Sequence, residues 1–92
     1  MADFDDIQNS RPVPDGNVGR IVRIVGAVVD VVFAPDAMPS IYNALTVDAD
    51  SPAGHISTIL EVQTHLPGDL VRTVALSSTD GMVRGMDAVD TG

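Results

Sequence analysis

From Gly19 onward, apolar residues fall at every second position in short runs that are cut by Gly, Pro and Asp. The run GRIVRIVGAVVDVVF is dense in β-branched residues and predicts two strands. In its second half Ala27, Val29, Val31 and Phe33 share one face, while Val28, Asp30 and Val32 share the other. Its first half fits with Val22 and Ile24 inward and Arg23 outward. The two parities differ by one residue, so Gly26 is expected to kink the strand as a bulge or bend. After APDAMPS, the segment IYNALTV predicts a third strand with Ile41, Asn43, Leu45 and Val47 on one face. DADSPAG reads as a loop. HISTILEVQTHL predicts a fourth strand, with Ile56, Leu60 and Val62 opposed to Ser57, Glu61 and Gln63. Beyond the Pro67-Gly68 break, DLVRTVAL predicts a fifth strand whose apolar residues on both faces suggest double burial or a barrel seam. MVRGMDAVDTG supplies a sixth, interrupted by Gly85. Strands recurring about every ten residues, with no helical periodicity, place the chain in the all-β class. A small closed six-stranded β-barrel is the expected architecture, because closure removes unpaired edges and encloses an aliphatic core.

Residues 1–18 lack that periodicity. They carry Asp3, Asp5, Asp6 and Asp15 against Arg11, with Pro12 and Pro14 favouring extended backbone, and read as a flexible acidic N-terminal tail preceding a barrel at 19–92. At 92 residues the chain holds one small domain, and with 3% aromatic residues its core must be aliphatic. Thirteen acidic residues face five basic ones, giving a net charge of -8. All five are arginine. The absence of lysine excludes Schiff-base catalysis and a phosphate-loop lysine, and the absence of cysteine excludes disulfides and thiolate chemistry. The negative charge opposes nucleic-acid binding and adhesion to anionic lipid. No apolar run is long enough for direct membrane insertion, and the N-terminus lacks a signal-peptide pattern, so a cytoplasmic location is expected.

No catalytic, cofactor-binding or metal-binding residue is expected. His55 and His65 lack a helical ligand partner and sit near strand ends. Asp48 and Asp50 share a strand face but adjoin Ser51, Pro52 and Gly54, which reads as a solvated loop. Ser77, Ser78 and Thr79 have no neighbouring base. Gly81 and Gly85 read as turn or bulge glycines. Arg72 and Arg84 lie inside strands among apolar neighbours, so each is expected to meet a carboxylate or to lie at an interface.

The order and spacing of GRIVRIVGAVVDVVF, IYNALTV, LEVQTHL, VRTVAL and STDGMVRGMDAVDTG resemble the N-terminal segment of the beta subunit of rotary F-type ATP synthases. The likeness spans Gly19 to Gly92, about four fifths of the chain, and STDGMVRGMDAVDTG is its most specific part. In that family the segment is a six-stranded barrel. The resemblance implies an isolated N-terminal crown domain, not itself an enzyme, with the phosphate loop, its lysine, the catalytic glutamate, and bound ATP or ADP and Mg belonging to the following domain of the parent subunit. It implies alpha subunits as partners in an alternating three-plus-three ring, and a parent complex that uses the proton gradient to make ATP while lying peripheral to the inner face of the bacterial plasma membrane. The isolated domain is expected to be monomeric. Val32 departs from the acidic or polar residue common among relatives, and Pro67 in HLPGD stands where many have glycine. A free-standing interaction barrel or oligonucleotide-binding module is the alternative; the latter would need the basic and stacking residues that this chain lacks.

Overall fold

The computed structural model describes residues 16–52 and 54–91, and every regular element in it is a strand. The tail reading falls mainly on residues 1–15, outside the described residues. Strand β1, Asn17–Val25, begins two residues before Gly19, because Asn17 and Val18 pair with Asp90 and Val89. β1 is joined to β2, Val28–Val32, by a two-residue turn at Gly26 and Ala27, with Val25 opposite Val28. Gly26 is therefore the hairpin turn and not a kink within a strand. Its φ of 58° is the value that a primed turn requires of its first central residue, which favours glycine.

The parity change lies four residues earlier. Ile21, almost fully buried, pairs with Val31, whereas Arg23 already pairs with Asp30, so the register slips across Val22. The bulge leaves Val22, expected inside, on the exposed surface and returns Ile24 to a half-buried position against the core. Ala27 is likewise exposed in the turn, while Val29, Val31 and Phe33 face inward as expected.

Strand β3, Ala44–Ser51, starts after Ile41, which occupies an exposed turn. Leu45 and Val47 are buried, and Asn43 directs its amide to the Asp90 carboxylate. β3 also runs longer than expected. Asp48 to Ser51 are strand rather than loop, pairing to the point where Ser51 opposes Gly54. β4, Gly54–Leu66, turns Ile56, Thr58, Leu60 and Val62 inward. At the β4–β5 turn Pro67 precedes Gly68 at φ 87°, the sequence that a type II turn favours. β5, Leu70–Ala75, lies between β2 and β4 with Val71, Thr73 and Ala75 inside. Its outer residues Leu70, Arg72 and Val74 are half-buried, so the strand is not enclosed on both faces. β6, Asp87–Asp90, is short; Met82 to Met86, expected within it, are irregular.

Antiparallel pairing in the order β1-β2-β5-β4-β3-β6 closes the sheet into a barrel, as the alternation predicts. Ile21, Val29, Val31, Leu45, Val47, Leu60, Val62 and Val71 fill it with at most 1% exposure. Each such side chain contributes roughly 1.5–3 kcal/mol of transfer free energy. Thr58 and Thr73 are the inward-facing polar residues among those described; Thr73 Oγ1 donates to the Val29 carbonyl at 2.8 Å and Thr58 Oγ1 to the Ser78 carbonyl at 3.5 Å. One end of the barrel is covered by the 33–43 connector, where Pro39 is buried and His65 reaches the Pro39 carbonyl. The other end is covered by the 76–86 loop. Met82 is buried there, Thr79 Oγ1 donates to the Gly26 carbonyl at 3.0 Å, and Gly85 N–H and Ile21 C=O join at 2.8 Å.

Candidate functional site

The titratable side chains singled out in the sequence separate into two clusters and several isolated positions. At the tip of the β3–β4 hairpin, Asp50 lies directly opposite His55, and Asp48 is its diagonal neighbour on the same outer face. The His55 ring contacts both carboxylates, Nδ1 to Asp50 at 2.7 Å and Nε2 to Asp48. Two acceptors on one imidazole favour the doubly protonated ring. The hydrogen bond to Asp50 is the main cause that raises the His55 pKa above its ordinary value; partial desolvation opposes it, and the Asp48 hydrogen bond and both negative charges add to it. The sequence held this signal in the spacing of Asp50 and His55 about a tight turn, but a loop reading of DADSPAG hides it. His65 is separate: its Nε2 lies 2.6 Å from the Pro39 carbonyl, which makes that nitrogen the donor and ties β4 to the connector.

Further around the barrel, β2 and β5 place Asp30 beside Arg72. Nε and Nη2 of Arg72 donate to the two Asp30 oxygens at 3.0 and 3.1 Å, a forked pair. Asp30 is only 3% exposed, even though it points away from the core. Arg23 flanks it from β1 across the bulged ladder. The Asp30 hydrogen bond, followed by its charge, raises the Arg72 pKa above its ordinary value against a smaller desolvation cost. Of the two outcomes foreseen for Arg72, the structure thus selects the carboxylate. Arg84 is different; it is exposed in the 76–86 loop and forms no ion pair among the described residues.

Ser78 and Thr79 work within the loop. Ser78 Oγ accepts from the Asp80 N–H at 3.0 Å, and Thr79 bonds Gly26 as above. Gly81 and Gly85 have φ of 83° and 95°, and a Cβ on Gly81 would press on Ile56 at 3.1 Å, so both glycines serve the backbone of the loop. Among the described residues no group of three or more His, Cys, Asp or Glu is placed to hold a metal ion, and no helix is long and apolar enough to cross a membrane.

Residues 21–92, most of the closed barrel with both end covers, match the model of the ATP synthase alpha/beta family, beta-barrel domain. The chain belongs to the ATP synthase alpha/beta family.

In this ATP synthase family barrel the interior is filled by side chains, so its chemistry is presented outward. The outer surface carries both signs of charge on each side, with Asp80 and Asp87 near the arginines and His55 between Asp48 and Asp50. Arg20, Arg23, Arg72 and Arg84 gather on β1, β5 and the adjoining loop, together with exposed Val18, Val22, Val25 and Val83. A broad open depression there is lined by Arg20, Val22, Val83 and Arg84 over Ile24 and Met82. The β3–β4 side instead presents Asp48, Asp50 and Glu61 around exposed Ile59, with Tyr42 bonded alongside Val62. This barrel therefore offers an arginine- and valine-bearing side and a β3–β4 side on a packed core.

Proposed function

We propose that this chain is the N-terminal crown domain of the catalytic beta subunit of an F-type ATP synthase. It acts there by assembly, as one barrel in a ring where three beta barrels alternate with three alpha barrels. The beta assignment rests on GRIVRIVGAVVDVVF, LEVQTHL and STDGMVRGMDAVDTG. The observation that carries the assembly role is the tightly packed, closed barrel whose informative groups all lie on its outside. Rigid barrels joined side to side would give the moving catalytic domains a fixed rim, and neighbours that bind the folded barrel stabilise it by mass action. The parent complex would synthesise ATP from ADP and phosphate on the proton gradient, with nucleotide and Mg held in the following domain, and would sit peripherally on the inner face of a bacterial plasma membrane. Alone, at a net charge of -8, the domain is monomeric.

The test is reconstitution of intact alpha with beta lacking the region Gly19 through Gly92, scored by native mass spectrometry for the ring and separately by nucleotide binding to the truncated subunit. Ring formation should fail while nucleotide binding persists. Rings of unchanged yield and stability would refute the assembly role.

A further inference from the structure

The arginines of the barrel are not equally answered by carboxylates. Arg20 faces Asp87 across the β1–β6 ladder, and exposed Arg84 shares the 76–86 loop with exposed Asp80. Arg23 and Arg72 have one carboxylate between them. Asp30 stands opposite Arg23 on β1 and opposite Arg72 on β5, and both of its oxygens accept from Arg72. Arg23 is exposed and forms no ion pair among the described residues, so this group keeps a net positive charge. Beside it Val25 is 57% exposed, and Arg23, Val25, Val28, Asp30 and Arg72 line a hollow of about 220 Å³. A cationic hollow with an aliphatic wall suits an anion that carries apolar side chains.

The chain itself holds such an anion. Residues 3–7, Asp-Phe-Asp-Asp-Ile, set Phe4 and Ile7 among the carboxylates of Asp3, Asp5 and Asp6, in the part of the sequence outside the described residues. The point from which that segment must reach is fixed. Gly16 precedes β1 so close to β6 that a Cβ on it would stand 2.5 Å from the Asp90 carbonyl oxygen. Its φ of 92° and the order Val13-Pro14-Asp15-Gly16 suit a chain reversal, with proline second in the turn and a left-handed glycine fourth. Reversal there sends the preceding residues back along β1, and length decides how far. Residues 8–15 span at most about 26–29 Å, whereas Arg23 lies about 23 Å along β1 from Gly16. Ile7 therefore reaches Arg23, and Phe4, further along the segment, reaches Val25. The β3–β4 side is no rival for an acidic segment, because Asp48, Asp50 and Glu61 outnumber the single His55 held between the two aspartates.

From these we infer that the acidic segment Asp3–Ile7 docks in the hollow of Arg23, Val25, Val28 and Arg72 on its own barrel. Its carboxylates answer Arg23 and the donors of Arg72 that Asp30 leaves over, while Phe4 and Ile7 cover the valines. Tethering makes a weak contact count. At an effective concentration on the order of millimolar, a segment that binds with a Kd of about 1 mM occupies its site about half the time. The inference stands apart from the assembly reading above: it concerns one chain alone, and while docked the segment closes the hollow to any other anion.

The experiment uses the whole 92-residue chain, which has no cysteine and so takes a single nitroxide label through Ala2→Cys. Paramagnetic broadening in NMR spectra should at least halve the amide signals of Arg23, Val25 and Val28 and spare those of Asp48 to Ser51. Asp5→Lys with Asp6→Lys should remove the effect, as should Arg23→Glu, and the three changes together should restore it. Sodium chloride at about 1 M should reduce it, because the screening length falls to about 3 Å. The Asp5 and Asp6 changes lie outside the barrel, so they decide the matter even if thermal unfolding shows that Arg23→Glu harms the fold. Broadening that is spread evenly over the barrel, that centres on another face, or that survives the Asp5 and Asp6 changes would overturn the inference. A mixture of spin-labelled chain with label-free chain enriched in nitrogen-15 tests the tether. No broadening in the mixture supports docking within one chain; broadening as strong as in the spin-labelled, enriched chain means that the segment of another copy fills the hollow, and overturns it.

Discussion

Replacing Gly19 by alanine probes the tightest approach in the barrel. The residue is fully enclosed in β1 at an ordinary negative φ, so the substitution meets no backbone strain. Space is the obstacle. A Cβ there would stand 2.6 and 2.7 Å from the Phe33 ring carbons and 2.7 Å from the Val32 carbonyl oxygen. Phe33 is 3% exposed and Val32 belongs to the β2 ladder, so neither neighbour can simply swing into solvent. Relief requires a shift of about 0.5–1 Å in a packed interior, and overpacking of this kind costs about 1–3 kcal/mol. Against it stands the entropy removed from the unfolded chain by losing a glycine, about 0.4–1 kcal/mol in the stabilising direction. The net expectation is destabilisation of about 1–2 kcal/mol, read as a fall of about 4–16 °C in Tm for a domain of this size. Urea unfolding should show a lower midpoint at unchanged slope. The Phe33→Leu background separates the two contacts. If the ring is the main obstacle, Gly19→Ala costs less there than in the parent chain; if the Val32 carbonyl dominates, the costs match. A Gly19→Ala protein at least as stable as the parent would refute the packing argument.

His55 should titrate above about 6.5 by NMR; Asp50→Asn should lower its pKa more than Asp48→Asn does. Because the folded pKa is the raised one, this contact adds stability that is fully present below about pH 6.5 and is lost as pH rises through the folded value, and a hairpin indifferent to pH across that window would contradict it. Removing one partner of the forked pair, as in Arg72→Met, should destabilise the barrel by stranding the buried Asp30 carboxylate, and adding Asp30→Asn should recover part of the loss; a double variant no better than the single would show that the pair is not coupled. Calorimetric titration with ATP or ADP should show no saturable micromolar site, since the chain holds no phosphate-loop lysine.

The alternation of apolar and polar residues was enough by itself to determine the class, the strand number and the buried faces of β2 and β4, because a strand half-exposed to water must repeat with period two. Val29, Val31, Leu60 and Val62 lie inside for that local reason. The family was legible too, in segments whose order survives whatever the pairing is. What stayed hidden depends on which strand lies beside which. The slip at Val22 rather than Gly26 is decided by the partners of Ile21 and Arg23 on β2 and by the Met82 to Met86 loop, whose Met86 carbonyl accepts from Ile21 N–H at 2.9 Å. DADSPAG has the composition of a loop, yet most of it is strand because β4 supplies a ladder for it. The outer apolar residues of β5 suggested enclosure, whereas they are half-exposed around a salt bridge. Asp30 and Arg72 stand 42 residues apart, and Asp30 is buried only because the topology sets β5 against β2. Periodicity reports how one strand meets water; register, bulges and charge pairs across the ladder are fixed by a second strand distant in sequence, and only the closed barrel supplies it.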